Sequence, residues 1–194
     1  MGMKAMRQRA RQVTDRAIIC AMLDQMDTIY VGMHDEPAPY VVPLNFGYTF
    51  DDDLIFYFHC AKAGYKLALL EKNPHVCVTV SQFVSYAGGS VKGHMHDYRS
   101  VIARGIAQQI DPDAEPQAFR EALARLLAHN HRNPDDANSP VARHIQMWRI
   151  VCKAEDVTAK AEIVPKTMRE VPFAPPIADG MPIDESHILD AKKA

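Results

Sequence analysis

Hydrophobic and polar positions change period several times along the chain, and each change marks an element. Ile18, Ile19, Met22, Leu23 and Met26 recur at helical spacing after Thr14 or Asp15, either of which can cap, predicting a helix that runs to Met26. Thr28 to Met33 is β-branched, aromatic and apolar and reads as a strand, closed by the turn His34-Asp35-Glu36-Pro37. Tyr40 to Tyr48 reads as a second strand broken at Pro43, and Leu54 to His59 as a third. A short helix over Ala63–Lys72 is stopped by Asn73-Pro74, since proline disfavours helix at the residue before it. Val76 to Val84 is nearly continuous in apolar and hydroxylic residues and predicts a strand buried on both faces. Tyr98 to Ile110 is a fifth strand with Gly105 as a bulge or close-approach point. An amphipathic helix over residues 115–130 and a sixth strand, Ile145 to Lys153, complete the pattern.

Residues 1–13 read as a polar lead-in, 14–160 as one domain and 161–194 as a proline-rich arm. Hairpin-like links favour an antiparallel sheet over a doubly wound parallel one, and closure into a barrel removes the edges of many short strands. The expected fold is therefore mainly β, a six-stranded antiparallel barrel flanked by helices.

Composition narrows the function. The 194 residues carry 22 Lys plus Arg and 24 Asp plus Glu, a formal charge of −2, which argues against a dedicated nucleic-acid binder. No apolar run approaches the ~20 residues of a membrane span, and the basic start lacks the apolar region of a secretory signal. Cys20, Cys60, Cys77 and Cys152 form no C-x-x-C pair and read as reduced thiols of a cytoplasmic protein.

Four segments carry candidate chemistry. In His59-Cys60-Ala61-Lys62-Ala63-Gly64-Tyr65-Lys66 a strand runs through small residues into a helix start, where free N–H groups and a cation favour an anion such as phosphate. Here the competing reading is a surface lysine on a short helix. Pro43-Leu44-Asn45-Phe46-Gly47-Tyr48 is an irregular strand whose backbone can pair with the edge of a flat heterocycle, or is simply a bulged edge strand. Tyr98-Arg99-Ser100-Val101 alternates, with Tyr98 and Ser100 on one face and Arg99 and Val101 on the other; serine and arginine are both phosphate partners. His94-Met95-His96-Asp97 offers an H-x-H pair, but no matching ligand spacing accompanies it, so no metal site is expected. Neither a nucleophile elbow, a P-loop nor a Rossmann fingerprint is present.

Taken in order, these segments resemble one family. They are Arg11 to Asp15 (R-x-V-T-D), Tyr40 to Tyr48 (Y-V-V-P-L-N-F-G-Y), Phe56 to Ala61 (F-Y-F-H-C-A) with Gly64 and Lys66, Asn73 to Cys77, and Tyr98 to Ile102 followed by Gly105. The likeness, from about Arg11 to about Lys160, is to the nitroimidazole-resistance branch of the pyridoxamine 5′-phosphate oxidase-like proteins. The resemblance implies a split β-barrel, a homodimer and FMN, or alternatively FAD, at the dimer interface. It implies that the backbone of Leu44 to Gly47 lines the isoalloxazine ring, that Lys66 and Ser100 hold the phosphate, and that His59 lies near flavin and substrate as a candidate proton donor. The implied cofactor set is Pro43, Leu44, Asn45, Phe46, Gly47, His59, Cys60, Ala61, Lys66, Tyr98, Arg99, Ser100, Val101 and Trp148, the last reaching the partner's flavin. The implied activity is an oxidoreductase acting on nitroimidazole-like or other small oxidised molecules. A non-enzymatic flavin carrier or sensor, and a haem-binding relative using His94 or His96, are the competing readings. The loop Ser85–Asp97 and the arm after Lys160 match nothing in the family pattern.

Overall fold

The computed structural model describes residues 6–86, 96–139, 145–162, 164–168 and 171, with residues 85, 86, 96 and 97 described by their backbone alone. Helix α1 spans Arg16–Leu23 and is capped by Asp15, whose carboxylate accepts from Ala17 N at 2.8 Å and Ile18 N at 3.2 Å. It ends one turn before the expected Met26: the apolar period continues, but the chain leaves the helix through two tight turns that still bury Met26. Strand β1 is Gln12–Val13, β2 Thr28–Met33, β3 Tyr40–Asn45, β4 Gly47–Phe50 and β5 Leu54–Cys60. Helix α2 follows over Tyr65–Lys72 and gives way at Asn73, ahead of Pro74. Then come β6 (His75–Tyr86), β7 (His96–Ile110), α3 (Pro116–His129), β8 (Gln146–Cys152) and β9 (Val157–Ala161). No helix among the described residues is long and apolar enough to cross a membrane.

All pairings are antiparallel, and the main path runs β3-β2-β6-β7-β8-β5-β4. Its two ends are neighbours in the chain: only Phe46 separates β3 from β4. One residue cannot span an open sheet, so the sheet must curl until its ends meet. Following paired residues around it, and carrying the β7–β8 register one residue beyond Ile106–Val151 to set Gly105 against Cys152, Tyr40 leads to Met33, Val76, Gly105, Cys152, Leu54 and finally Phe50, so one circuit advances the register from residue 40 to residue 50. That stagger is what tilted strands need to close. With β3 and β4 taken as the one broken strand, the barrel has six staves, and the fold is a split β-barrel with helices at its sides.

Several details differ from the sequence reading. The expected loop Ser85–Asp97 begins and ends in strand, since Ser85 and Tyr86 of β6 pair with Asp97 and His96 of β7. Gln12 and Val13, expected in a lead-in, pair with Lys160 and Ala159 of β9, a strand the pattern did not reveal. Two residues are too few to show a period, and β9 runs into the proline-rich arm. Strand β6 is not buried on both faces: Val76, Val78 and Val80 point in, while Cys77 and Ser81 are exposed. The break in Tyr40–Tyr48 falls at Phe46 rather than Pro43, which sits in an edge strand where proline's missing N–H costs no ladder bond. Gly105 is a close-approach point and not a bulge. The β6–β7 register runs through it unbroken, and a Cβ there would lie 2.6 Å from the Cys152 sulfur. It marks the place where β7 exchanges β9 (Arg99–Ala103) for β8 (Ile106–Ile110).

The core is in two parts. Phe56, Phe58, Ile29, Val31, Val78, Val80, Val101 and Ile150 fill the barrel, joined by the apolar faces of α1 and α2. Outside the wall, Phe119, Ala122, Leu123 and Leu126 of α3 pack on Ile110 and Met147.

Candidate functional site

The seam where β3 passes into β4 gathers most of the expected residues. Among the described residues strand β3 forms a ladder with β2 alone, and its other edge comes near β5. On β5 the alternation turns Phe56, Phe58 and Cys60 inward and leaves His59 on the outer surface. Asn45 is exposed on the same side, and the two line one cavity of about 730 Å³ under the C-terminal half of α3.

Beyond His59, the chain passes through exposed Ala61 to Gly64 into α2. Gly64 caps the helix at φ 144°, ψ 160°, a conformation only glycine adopts readily, and the space beside its Cα is open. Tyr65 anchors this turn: its hydroxyl lies 3.0 Å from both Asp35 carboxylate oxygens, and its ring packs edge-on to Tyr40 at 5.2 Å. Lys66 follows in the first turn, half-buried, among the helix's free N–H groups. Its charge reaches both neighbours on β5. The His59 pKa is lowered, first by partial burial and second by Lys66, which favours the neutral ring. The Cys60 thiol is pushed up by burial, an effect Lys66 partly offsets.

Other expected residues point elsewhere. Cys60, Arg99, Val101 and Trp148 face the barrel interior. Trp148 is buried and stacks on Phe58 with centroids 6.2 Å apart at 13°, so its ring is not presented outward to a partner's ligand. Its indole N–H lies toward the Cys60 sulfur without a complete hydrogen bond. Phe46 is wholly buried; its ring lies 4.3 Å from His129, and its carbonyl accepts from Asn130 Nδ2 at 2.9 Å. A Cβ on Gly47 would lie 2.5 Å from the Leu126 backbone nitrogen, so this glycine exists to let α3 approach. That leaves Pro43, Leu44 and Asn45 as the part of the stretch open to a ligand.

Tyr98 and Ser100 do lie on the opposite face from Arg99 and Val101, so Ser100 and Arg99 cannot grip one phosphate together. Ser100 pairs with Ser81 on one side and Lys160 on the other. The Lys160 ammonium sits 4.9 Å from the centre of the Tyr98 ring. This group stands three strands along the barrel wall from β3, apart from Lys66. Lys160 escaped notice in the sequence because only the β9 pairing puts it beside Ser100. His94 lies outside the described residues, as does the His96 side chain. Among the described residues no cluster of His, Cys, Asp or Glu could hold a metal, and all four cysteines are free thiols.

Comparison with known proteins places this geometry. A family model described as pyridoxamine 5′-phosphate oxidase matches residues 15–160. The chain belongs to that family. No functionally curated protein matches it. Among solved structures, one from Bacteroides thetaiotaomicron, provisionally described as a 5-nitroimidazole antibiotic resistance protein, is 26% identical with a TM-score of 0.59, over 77% of this chain and 86% of that one. A FAD-binding protein from Mesorhizobium loti is 19% identical with a TM-score of 0.55, over 78% and 96%. A FAD- and haem-binding protein from Mycobacterium smegmatis is 18% identical with a TM-score of 0.59, over 92% and 96%. The last two likenesses establish the shared fold.

Proposed function

We propose that the chain is an FMN-dependent oxidoreductase that works as a cytoplasmic homodimer, with the flavin at the seam of the barrel, and that it reduces nitroimidazole-like or other small oxidised molecules. The carrying observation is the convergence of three things at one seam: the unpaired edge of β3 at Pro43–Asn45, the His59 ring, and Lys66 beside the open turn at Gly64. These residues fit a flavin mononucleotide. Its phosphate needs a cation and free N–H groups, which the start of α2 offers; its heterocycle needs backbone donors and acceptors, which the β3 edge offers. Family membership and the 26% identical structure support the same reading.

A bound flavin supplies the hydride and electron transfer. The chain's residues bind and orient it: Lys66 neutralises phosphate, and Pro43 to Asn45 fix the ring edge. His59 stands where it can hold or release a proton at a ring nitrogen. Ser100 joins the phosphate only from a second copy, since within one chain it lies apart from Lys66. Mass measurement of the cofactor released by denaturation tests the binding claim, and FMN is the expected species. Stopped-flow reoxidation of the reduced protein by a nitroimidazole tests turnover. A rate no faster than that of free flavin would leave a carrier or sensor, and a Soret band would replace the flavin reading with a haem one.

A further inference from the structure

A second cavity, of about 1000 Å³, lies on the outer wall of the barrel where β7 exchanges β9 for β8. Cys77 of β6 lines it and is the one exposed thiol of the four; Cys20 is half-buried, and Cys60 and Cys152 are buried. The ladder register sets the surroundings of its sulfur. On β2, Cys77 faces Gly32, which has no side chain to cover it; a Cβ there would meet nothing closer than 3.5 Å. On β7 it faces Arg104. His75 stands two residues back on the same face of β6 and lines the same cavity. A nucleophile, a base and a cation thus share one exposed surface.

Hydrogen bonds fix the His75 ring. Asn73 Oδ1 accepts from the His75 backbone N–H at 3.1 Å, and the same oxygen lies 3.1 Å from His75 Nδ1. Nδ1 therefore carries a hydrogen and donates it, which leaves Nε2 of the neutral ring as a proton acceptor. Cys77 lies about 7 Å along the strand, Cα to Cα, a span that two side chains, with or without one water, can close. Among the described residues no ion pair or hydrogen bond engages the Arg104 side chain. The other charges of the cavity are held or stand further off. Asp35 is held by Tyr65 and Lys153 by Asp53, while Asp156 precedes β9, on the far side of β7 from β6. Arg104 is the charge beside the thiol.

We infer that Cys77 is a modification site whose sulfur forms a mixed disulfide with a small carboxylate-bearing thiol, Arg104 holding the carboxylate and His75 taking the proton. The co-reactant is a small disulfide. The Cys77 proton passes to His75 Nε2 as Sγ attacks one sulfur of that disulfide. The S–S bond of the co-reactant breaks, a bond from Sγ to the attacked sulfur forms, and the other half leaves as a thiolate that recovers the proton. Cys77 is oxidised and the departing half is reduced. No part of this step uses the flavin site, so it stands apart from the proposed oxidoreductase activity.

Intact-mass spectrometry of the full chain, purified under reducing conditions, tests it with anionic 3,3′-dithiodipropionate, uncharged bis(2-hydroxyethyl) disulfide and cationic cystamine. Each rate is divided by that of the same reagent with an uncharged free thiol. One adduct per chain is expected, mapped to Cys77 by peptide digestion and absent in Cys77→Ser. The normalised rate is expected to be about fivefold higher for the anionic reagent than for the uncharged one, slowest for cystamine, and to lose this preference with added salt. Arg104→Gln is expected to remove the preference while leaving the uncharged reagent's rate unchanged, and Arg104→Lys to keep most of it. His75→Gln is expected to slow all three at least about fivefold. If Arg104→Gln misfolds by thermal melting, the salt dependence of the parent carries the charge test. A native chain that reacts only once unfolded, as it would with a second copy covering Cys77, would overturn the inference. So would an adduct on another cysteine, equal normalised rates, a preference indifferent to Arg104→Gln or to salt, or a folded His75→Gln protein as fast as the parent.

Discussion

At the scale of single residues, Lys66 and His59 would divide the work of the proposed flavin site. A charge-assisted bond from Lys66 to a phosphate contributes about 1.5–3 kcal/mol. Lys66→Ala is therefore expected to weaken FMN binding at least about tenfold in fluorescence titration of the apoprotein, while the apoprotein's melting temperature changes little. An unchanged Kd would place the phosphate elsewhere. For His59 the sign follows from its lowered pKa, caused first by burial and then by Lys66. As pH falls, the unfolded chain takes up the proton first, near 6.5, so this residue's contribution to stability is complete above that value and is lost as pH drops towards the folded pKa. Urea midpoints at pH 7.5 and 5.5 are expected to differ less in His59→Gln than in the parent. Neutralising Lys66 with phosphate alone removes the second cause without adding burial, so the His59 NMR titration should move to higher pH when inorganic phosphate is added to the apoprotein. The residue pattern foretold which strands carry His59 and Asn45. It could not tell that Trp148 and Cys60 face inward, because alternation fixes that two residues share a face but not which face is the core.

At the scale of elements, α3 acts as a brace on the seam. Gly47 is the contact that tolerates least. An added methyl would meet main-chain atoms of Arg125 and Leu126 at 2.5–2.6 Å, and a helix backbone cannot yield as a flexible side chain can. Gly47→Ala should cost about 1–3 kcal/mol by overpacking, read as a lower urea midpoint at unchanged slope. Gly64→Ala should cost a similar amount, about 1–3 kcal/mol, for a different reason: nothing crowds that position, but its φ of 144° is strained for any residue with a Cβ. Elements with several periods, such as α1, α3 and β5, were legible because the apolar positions repeat often enough to define a face. The β1–β9 ladder was not, since Gln12 and Val13 become a strand only through tertiary pairing. The role of Gly47 was equally hidden, because the helix that needs it lies about 80 residues further along the chain.

At the scale of the whole molecule, one outer face of the barrel remains unexplained by a single chain. Val41, Tyr30, Ile102, Phe83 and Ile106 are 38–54% exposed. Pairing through β3, β2, β6 and β7 sets Pro43, Tyr30, Thr79 and Ile102 in one row, flanked by Val41 and Phe83. A contiguous apolar surface of this kind marks an interaction surface. Ser100 and Lys160 border it, and so does the open β3 edge at Pro43, the two halves of the proposed flavin site that one chain holds apart. A second copy packed on this face would bring one chain's Ser100 towards the other's seam. Sedimentation equilibrium is therefore expected to give about twice the 21.7 kDa chain mass. Tyr30→Glu combined with Ile102→Glu buries two like charges in that interface and should yield monomers. Because neither residue belongs to the expected flavin set, flavin content then becomes informative. Monomers that lose their flavin would place the cofactor between the two chains, and monomers that keep it would confine the site to the seam of one barrel.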